Sequence, residues 1–226
     1  MNFLQFLKVF RKTFITPLKA RKSYSQCAED LLIDNLLKSS IKSGVKGFYV
    51  DVGCHHPKRG SNTYRLYKHG WQGILVDMEE DKVLAAKLAR PRDVVIKAAV
   101  SDQEERVTIH SPAAFSTNAT ISKEVYSNDS DFKPITSVNT TRLDKIMREN
   151  NCPQKIDFMS IDVEGNDFNV LKSFSFDEFQ PQLICVENHT MQNGYREMLC
   201  SDIHILLEQV NYKLCGIAGP STIYSI

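Results

Sequence analysis

The sequence is most informative first through what it lacks. No stretch of its 226 residues approaches the run of about 18 apolar residues that a membrane-spanning helix needs. The six cysteines, Cys27, Cys54, Cys152, Cys185, Cys200 and Cys215, include no C-x-x-C pair. That argues against a structural zinc site and fits a reducing compartment. Only 10 glycines and 8 prolines leave no room for a collagenous or low-complexity chain. Neither G-x-G-x-x-G nor a P-loop Gly-Lys-Ser/Thr occurs, which weakens NAD and ATP readings, because close approach to a pyrophosphate needs those glycines. A large charge of one sign is also missing. Lys and Arg total 28 against 27 Asp and Glu, so a general nucleic-acid binder with a strongly basic face is disfavoured.

What remains is ordinary globular material, 42% hydrophobic and 24% charged, long enough for one large domain. The near-zero charge hides an asymmetry. Residues 1–22 hold six basic residues (Lys8, Arg11, Lys12, Lys19, Arg21, Lys22) and no acid, leaving −5 on the remainder. Phe3, Leu4, Phe6, Leu7, Phe10 and Phe14 recur there at helical spacing. Lys8, Arg11 and Lys12 interrupt any apolar core of a secretory signal, so a cytoplasmic protein is expected. Residues 1–23 therefore read as a basic amphipathic extension. Such a helix can lie on an anionic membrane, giving a peripheral location. The commoner use of an apolar stripe is packing, on the body or on a second subunit of a homo-oligomer. Four Asn-x-Ser/Thr sequons (Asn118, Asn128, Asn139, Asn188) signify only composition without such a signal.

Beyond residue 23, short apolar strands alternate with helices. Ser25-Gln26 predicts the cap of a helix over 27–43, and Phe48–Val52 a strand running into Gly53. Further strands are predicted at 74–76, 94–100, 107–109, 156–161 and 183–186, with helices near 61–69, 79–89, 141–149, 167–174 and 195–209. A strand over 212–217 turns at Gly219-Pro220 into a last strand ending at Ile226, necessarily antiparallel to it. Trp71 leads into a buried strand and is expected beneath the sheet. The pattern predicts an α/β fold, a mostly parallel sheet with helices on both faces and a C-terminal antiparallel hairpin. Residues 110–137, rich in Ser, Thr and Asn, read as a functional loop or an acceptor lid.

The chemistry is expected at the strand ends. Asp51, Asp77, Asp102, Asp162 and Glu187 each stand at or just past a strand's carboxyl end, where open α/β sheets bind ligands. One carboxylate there, such as Asp102, can be a helix cap; five are harder to assign so. Asp51-Val-Gly53 lets the backbone turn tightly, and Asp77 follows Asp51 by 26 residues, near the spacing of a ribose-binding acid.

These residues carry a resemblance. Ser25-Gln26-x-x-Glu29-Asp30, Tyr49-Val-Asp51-Val-Gly53-x-His55-His56-Pro57, Ser61-Asn62-Thr63, Gly70-Trp71-x-Gly73-Ile74 and Ser160-Ile-Asp162-Val-Glu164-Gly165 occur in that order. Over residues 24–226 the chain resembles the FkbM family of class I S-adenosylmethionine (SAM)-dependent methyltransferases. The resemblance implies a Rossmann-like seven-stranded sheet, and an O-methyltransferase acting on a hydroxyl of a sugar, glycan or related small molecule. It implies that Asp51, Gly53 and the loop through Cys54 and His55 hold the methionine end of SAM, and that Asp77 takes the ribose hydroxyls. Ser101 and Asp102 would flank the adenine, Asp162 would sit near the methyl group, and Gln26 and Asn62 would reach the cofactor. Many members have a small residue where His55 stands.

For a hydroxyl acceptor a general base helps, and the candidates are Asp162, Glu164, His189, His55 and His56. His189 could equally be a solvated loop residue, and His55-His56 could serve the turn's backbone. Asp162, Glu164, Glu187 and His189 also form a plausible Mg²⁺ set, though such a cluster is as easily a hydrogen-bond network and no metal is assigned. The rivals are a non-catalytic module recruited through the basic helix and, further off, an NAD-dependent or nucleotide-sugar oxidoreductase.

Overall fold

The computed structural model describes residues 2–15, 21–113, 116, 118–127 and 129–226. Lys19 and the sequon at Asn128 lie outside the described residues, as do 114, 115 and 117 of the 110–137 segment. Seven strands make the main sheet: β1 (Phe48–Val52), β2 (Gln72–Asp77), β3 (Val94–Lys97), β7 (Lys155–Ile161), β8 (Gln180–Glu187), β9 (Lys213–Ala218) and β10 (Ser221–Ser225). Their order is β3-β2-β1-β7-β8-β10-β9. The strands from β3 to β8 run parallel, while β10 is antiparallel to both β8 and β9. The order reverses between β1 and β7, so a crevice opens beyond their carboxyl ends.

Both faces of the sheet are covered, which is why its central strands read as unbroken apolar runs. On one face Val50, Val52, Ile74, Met159, Ile161 and Ile184 pack with α7 (Leu143–Glu149), α8 (Asp167–Lys172) and α10 (Asp202–Gln209). On the other, Tyr49, Phe158 and Cys185 meet Ile33 of α2 (Glu29–Leu36), Leu66 of α4 (Tyr64–Lys68) and Trp71. Trp71 is buried as expected, and a Cβ on Gly47 would stand 2.6 Å from its ring.

Several boundaries differ from the sequence reading. The helix expected over 27–43 starts at Glu29, because Ala28 is left-handed at φ 67°, and Leu37 separates α2 from α3 (Lys38–Lys42). Ser25 still serves the helix start, its Oγ accepting from the Asp30 N–H at 3.1 Å. The strand over 94–100 breaks at Ala98, and its end, β4 (Ala99–Val100), joins a second sheet in the order β4-β6-β5 with β5 (Arg106–Ser111) and β6 (Lys133–Thr141). The 110–137 segment is thus not all loop: it contains the start of β6 and a helical turn, α6 (Lys123–Ser127). The helix over 195–209 is two, α9 (Tyr195–Leu199) and α10, since the Ser201 hydroxyl accepts from the His204 N–H and starts a new helix. At the amino end α1 (Phe3–Phe10) continues into a π-helical turn, Arg11–Ile15. The expected packing of its Phe/Leu stripe on the body is absent: no residue of either piece is buried.

Candidate active site

The end of β1 sets the site's geometry. Gly53 has φ +81°, and a Cβ there would lie 1.7 Å from the carbonyl oxygen of Asp162. Only glycine lets the β1 turn pass this close to the end of β7. Beside it, Asp77 closes β2 with one carboxylate oxygen accepting from the His55 N–H (2.9 Å) and the other from the Glu79 N–H (3.0 Å). Burial raises its pKa, and these two bonds oppose the rise. The cleft is lined by Gly53, His55, Asp77, Asp162 and Glu164, with Lys82, Asn166 and an apolar patch of Val76, Met78, Ala99, Val100 and Ile121.

His55 occupies a left-handed backbone position, φ 43°. Its buried Nδ1 has no hydrogen-bond partner among the described residues, and burial pushes the ring's pKa down to about 4. It is therefore a neutral polar group facing the cleft at neutral pH. His56 instead turns onto its own loop, Nδ1 accepting from the N–H groups of Lys58 and Arg59, both at 3.0 Å. It fills backbone needs in the turn.

Beyond β7 and β8 the acids converge. Asp162, Glu164 and Glu187 each offer an oxygen within 4.8 Å of the others, and Asp167, Glu187 and His189 form a second such group. These separations could hold a divalent cation. Without one, the cluster holds protons. Asp162 and Glu187 are hydrogen-bonded, burial raises both, and Glu187 is raised further because the Asp162 charge repels a second one. Burial likewise lifts Glu164 to about 7 and Asp167 to about 6. Asp167 is the turn's brace, accepting from the N–H groups of Val163 (3.0 Å) and Gly165 (3.1 Å). It holds Glu164 and Gly165 in consecutive left-handed conformations, φ 54° and 93°. His189 stands half-exposed with Nε2 3.5 Å from Glu187 Oε2. Asn188 does not orient it; its side chain holds Thr190 and Ser201.

Other predicted residues stand farther out. Asp51 is buried behind the cleft rather than lining it, accepting from the Thr63 hydroxyl. Burial raises it to about 6, while Arg90 and that hydrogen bond pull it down. Cys54 turns its thiol into an apolar group with Leu75 and Ala86. Asn62 is half-buried, and its Nδ2 donates to Ser160 Oγ of β7 at 3.1 Å. Ser101 is buried next to the cleft wall. Asp102 pairs with Lys172 at 2.7 Å, and that contact overcomes desolvation to lower its pKa. Gln26 is exposed ahead of α2. Of the 110–137 segment, Ala119 and Ile121 line the cleft, and between them the Thr120 hydroxyl donates to the Glu164 carbonyl at 2.7 Å.

Arg90 was not legible from the sequence as part of this site. Its fully buried guanidinium bonds Asp93 (2.7 Å), the Tyr49 hydroxyl (2.8 Å) and Thr63 Oγ1 (3.0 Å). Through Thr63 it supports Asp51. The only local signal is the i,i+3 spacing of Arg90 and Asp93 ahead of β3.

The sequence pattern of the methyltransferase FkbM domain matches residues 51–214, while no curated protein matches the chain. Among solved structures, the METTL16 methyltransferase domain is similar at TM-score 0.51 and 12% identity, covering 96% of this chain and 76% of that one. An O-methyltransferase from Bacillus cereus in complex with SAH has TM-score 0.45 and 10% identity, covering 99% and 90%. A putative caffeoyl-CoA O-methyltransferase from Staphylococcus aureus has TM-score 0.44 and 14% identity, covering 100% and 92%.

Proposed function

The chain belongs to the methyltransferase FkbM domain family, and from that premise we propose that its cleft binds SAM and transfers the methyl group to a hydroxyl of a sugar, glycan or related small molecule. The observation that carries this reading is the meeting of Asp77, Asp162 and the Cβ-free Gly53 at the switch point beside an apolar wall. Each part suits one portion of an adenosyl sulfonium. Val76, Met78, Ala99, Val100 and Ile121 provide an apolar bed for adenine. Each Asp77 oxygen, already fixed by one backbone N–H, keeps a lone pair for a ribose hydroxyl. Asp162 and Glu164 set negative charge where a sulfonium is cationic.

When bound, SAM supplies an electrophilic methyl group for in-line displacement. The chain's task is then chiefly to align donor and acceptor. His189, half-exposed beside Glu187 of the acid cluster, is assigned as the base that takes the acceptor hydroxyl's proton. The acid cluster is read as a hydrogen-bond network rather than a required metal site, and titration with and without Mg²⁺ decides between the two.

Calorimetric titration with SAM, S-adenosylhomocysteine and NAD, with and without Mg²⁺, tests the cofactor. Asp77→Ala should weaken both adenosyl ligands by about a hundredfold, the loss of two good polar contacts. Unchanged affinity removes the ribose assignment, and binding of NAD instead overturns the reading. His189→Ala should lower turnover of an acceptor hydroxyl by about 10²–10⁴-fold with SAM affinity intact, and full activity retires it as the base.

A further inference from the structure

The amino-terminal helix is the one described element whose apolar side chains have nothing to cover. Phe3 is 75% exposed, Phe6 47%, Phe10 44% and Phe14 73%. They are ordered among themselves: the Phe6 and Phe10 rings stack with centroids 6.0 Å apart, and those of Phe10 and Phe14 are 5.0 Å apart. With Leu7 they make one apolar ridge along about 20 Å of helix, at 1.5 Å per residue. Within the α-helical part the 100° step per residue puts Lys8 on the opposite side with Gln5, and Lys12 follows one turn on. Residues 1–22 hold six basic residues and no acid.

We propose that residues 3–15 lie in the plane of a lipid bilayer, the phenylalanine ridge among the acyl chains and the lysines against anionic headgroups. Charge chooses this occupant over the alternatives. In a two-fold contact between copies, ridge against ridge, the basic helices of both would be brought together with no acid on either to offset them. An anionic bilayer takes the ridge and the cations at once, since long basic side chains reach the headgroups while the apolar face sinks. The place where the segment joins the body continues the pattern. Lys22 and Lys68 both approach the half-buried Tyr24 ring, with Nζ 5.6 Å and 5.1 Å from its centroid.

The test is flotation of the full chain with vesicles of phosphatidylcholine alone or with a fifth of phosphatidylserine, at low and physiological salt. Binding should be at least about tenfold tighter to the anionic vesicles and should weaken with salt. Phe6→Asp/Phe10→Asp should abolish flotation on either vesicle. Lys8→Glu/Lys12→Glu should remove the preference for phosphatidylserine. The melting temperature of both variants should match wild type, because none of the four substituted side chains is buried. Equal flotation on the two vesicles, or none on either, overturns the proposal. So does anionic binding that survives Phe6→Asp/Phe10→Asp. A wild-type dimer that this variant splits would assign the ridge to a second copy, and a lowered melting temperature would assign it to the body.

Discussion

Arg90 offers the sharpest test of how the site is supported. Replacing it with methionine keeps much of the volume and removes a cation that faces Asp93 directly and Asp51 through Thr63. Both carboxyls are buried, so removing one partner leaves charge uncompensated, a defect worth about 3–5 kcal/mol. The sign with pH follows from the native pKa values. Asp51 already sits at about 6 with Arg90 lowering it, and Asp93 is raised by burial against the same opposing cation. Without the guanidinium both rise further. A native carboxyl held above its unfolded value of about 3.9 loses stability as pH climbs from there through the native value. In the variant that loss is deepest at about pH 8 and largely relieved at about pH 5, where the native state binds the protons. Each extra unit on either group is worth about 1.4 kcal/mol, so the cost of Arg90→Met should be at least about 2 kcal/mol greater at the higher pH. Guanidinium unfolding of both proteins at the two pH values measures this directly. Adding Asp93→Asn should recover part of the loss at high pH and little at low pH. An equal loss at both values would refute the electrostatic account and leave packing alone.

Two further changes address the cleft. Gly53→Ala must place a methyl group 1.7 Å from a backbone oxygen at φ +81°, and with no flexible neighbour to yield it should cost about 3 kcal/mol or more in denaturant unfolding. Wild-type stability would mean that the β1 and β7 ends are not so closely apposed. Glu164→Gln should do the reverse. Glu164 rises from 4.5 to about 7, so the native state holds its proton and loses stability as pH passes through that window. Removing the charge should stabilise the protein by about 1–2 kcal/mol at about pH 8, after discount for its partial exposure, and by nothing at about pH 4.5. A pH-independent difference between the two melting curves would contradict the burial-driven shift.

The sheet was legible because its central strands are covered on both faces, and burial on both faces writes an uninterrupted apolar run. The carboxylates at the strand ends were legible for the same reason: a charge terminating such a run marks where the sheet meets solvent. β6 was not. Most of Lys133–Val138 faces solvent on both sides and has no period, and pairing with β5 makes it a strand. The Arg90 network was hidden because Tyr49, Thr63 and the Arg90–Asp93 pair come from three separate pieces of chain and meet only after folding. The amino-terminal stripe was legible as amphipathic, but its period is identical whether body, partner or bilayer receives it. Ser25 shows how a local signal can be right in kind and wrong in position. It serves the start of α2, but the left-handed Ala28 moves the first helical residue to Glu29.

The hydrogen bond from Thr120 to the Glu164 carbonyl has a kinetic consequence. Ala119 and Thr120 are buried and Ile121 lines the cleft, so over a ligand in the proposed adenine bed this short stretch would act as a latch. A latched pocket fills in two stages, opening and then capture. The observed association rate therefore levels off at high ligand concentration, at the opening rate, instead of rising without limit. Thr120→Val, which removes the donor and keeps the shape, would lift that ceiling, and product would leave as much faster as ligand enters. In stopped-flow traces the latch would show itself as a plateau, and its loss as a straight line.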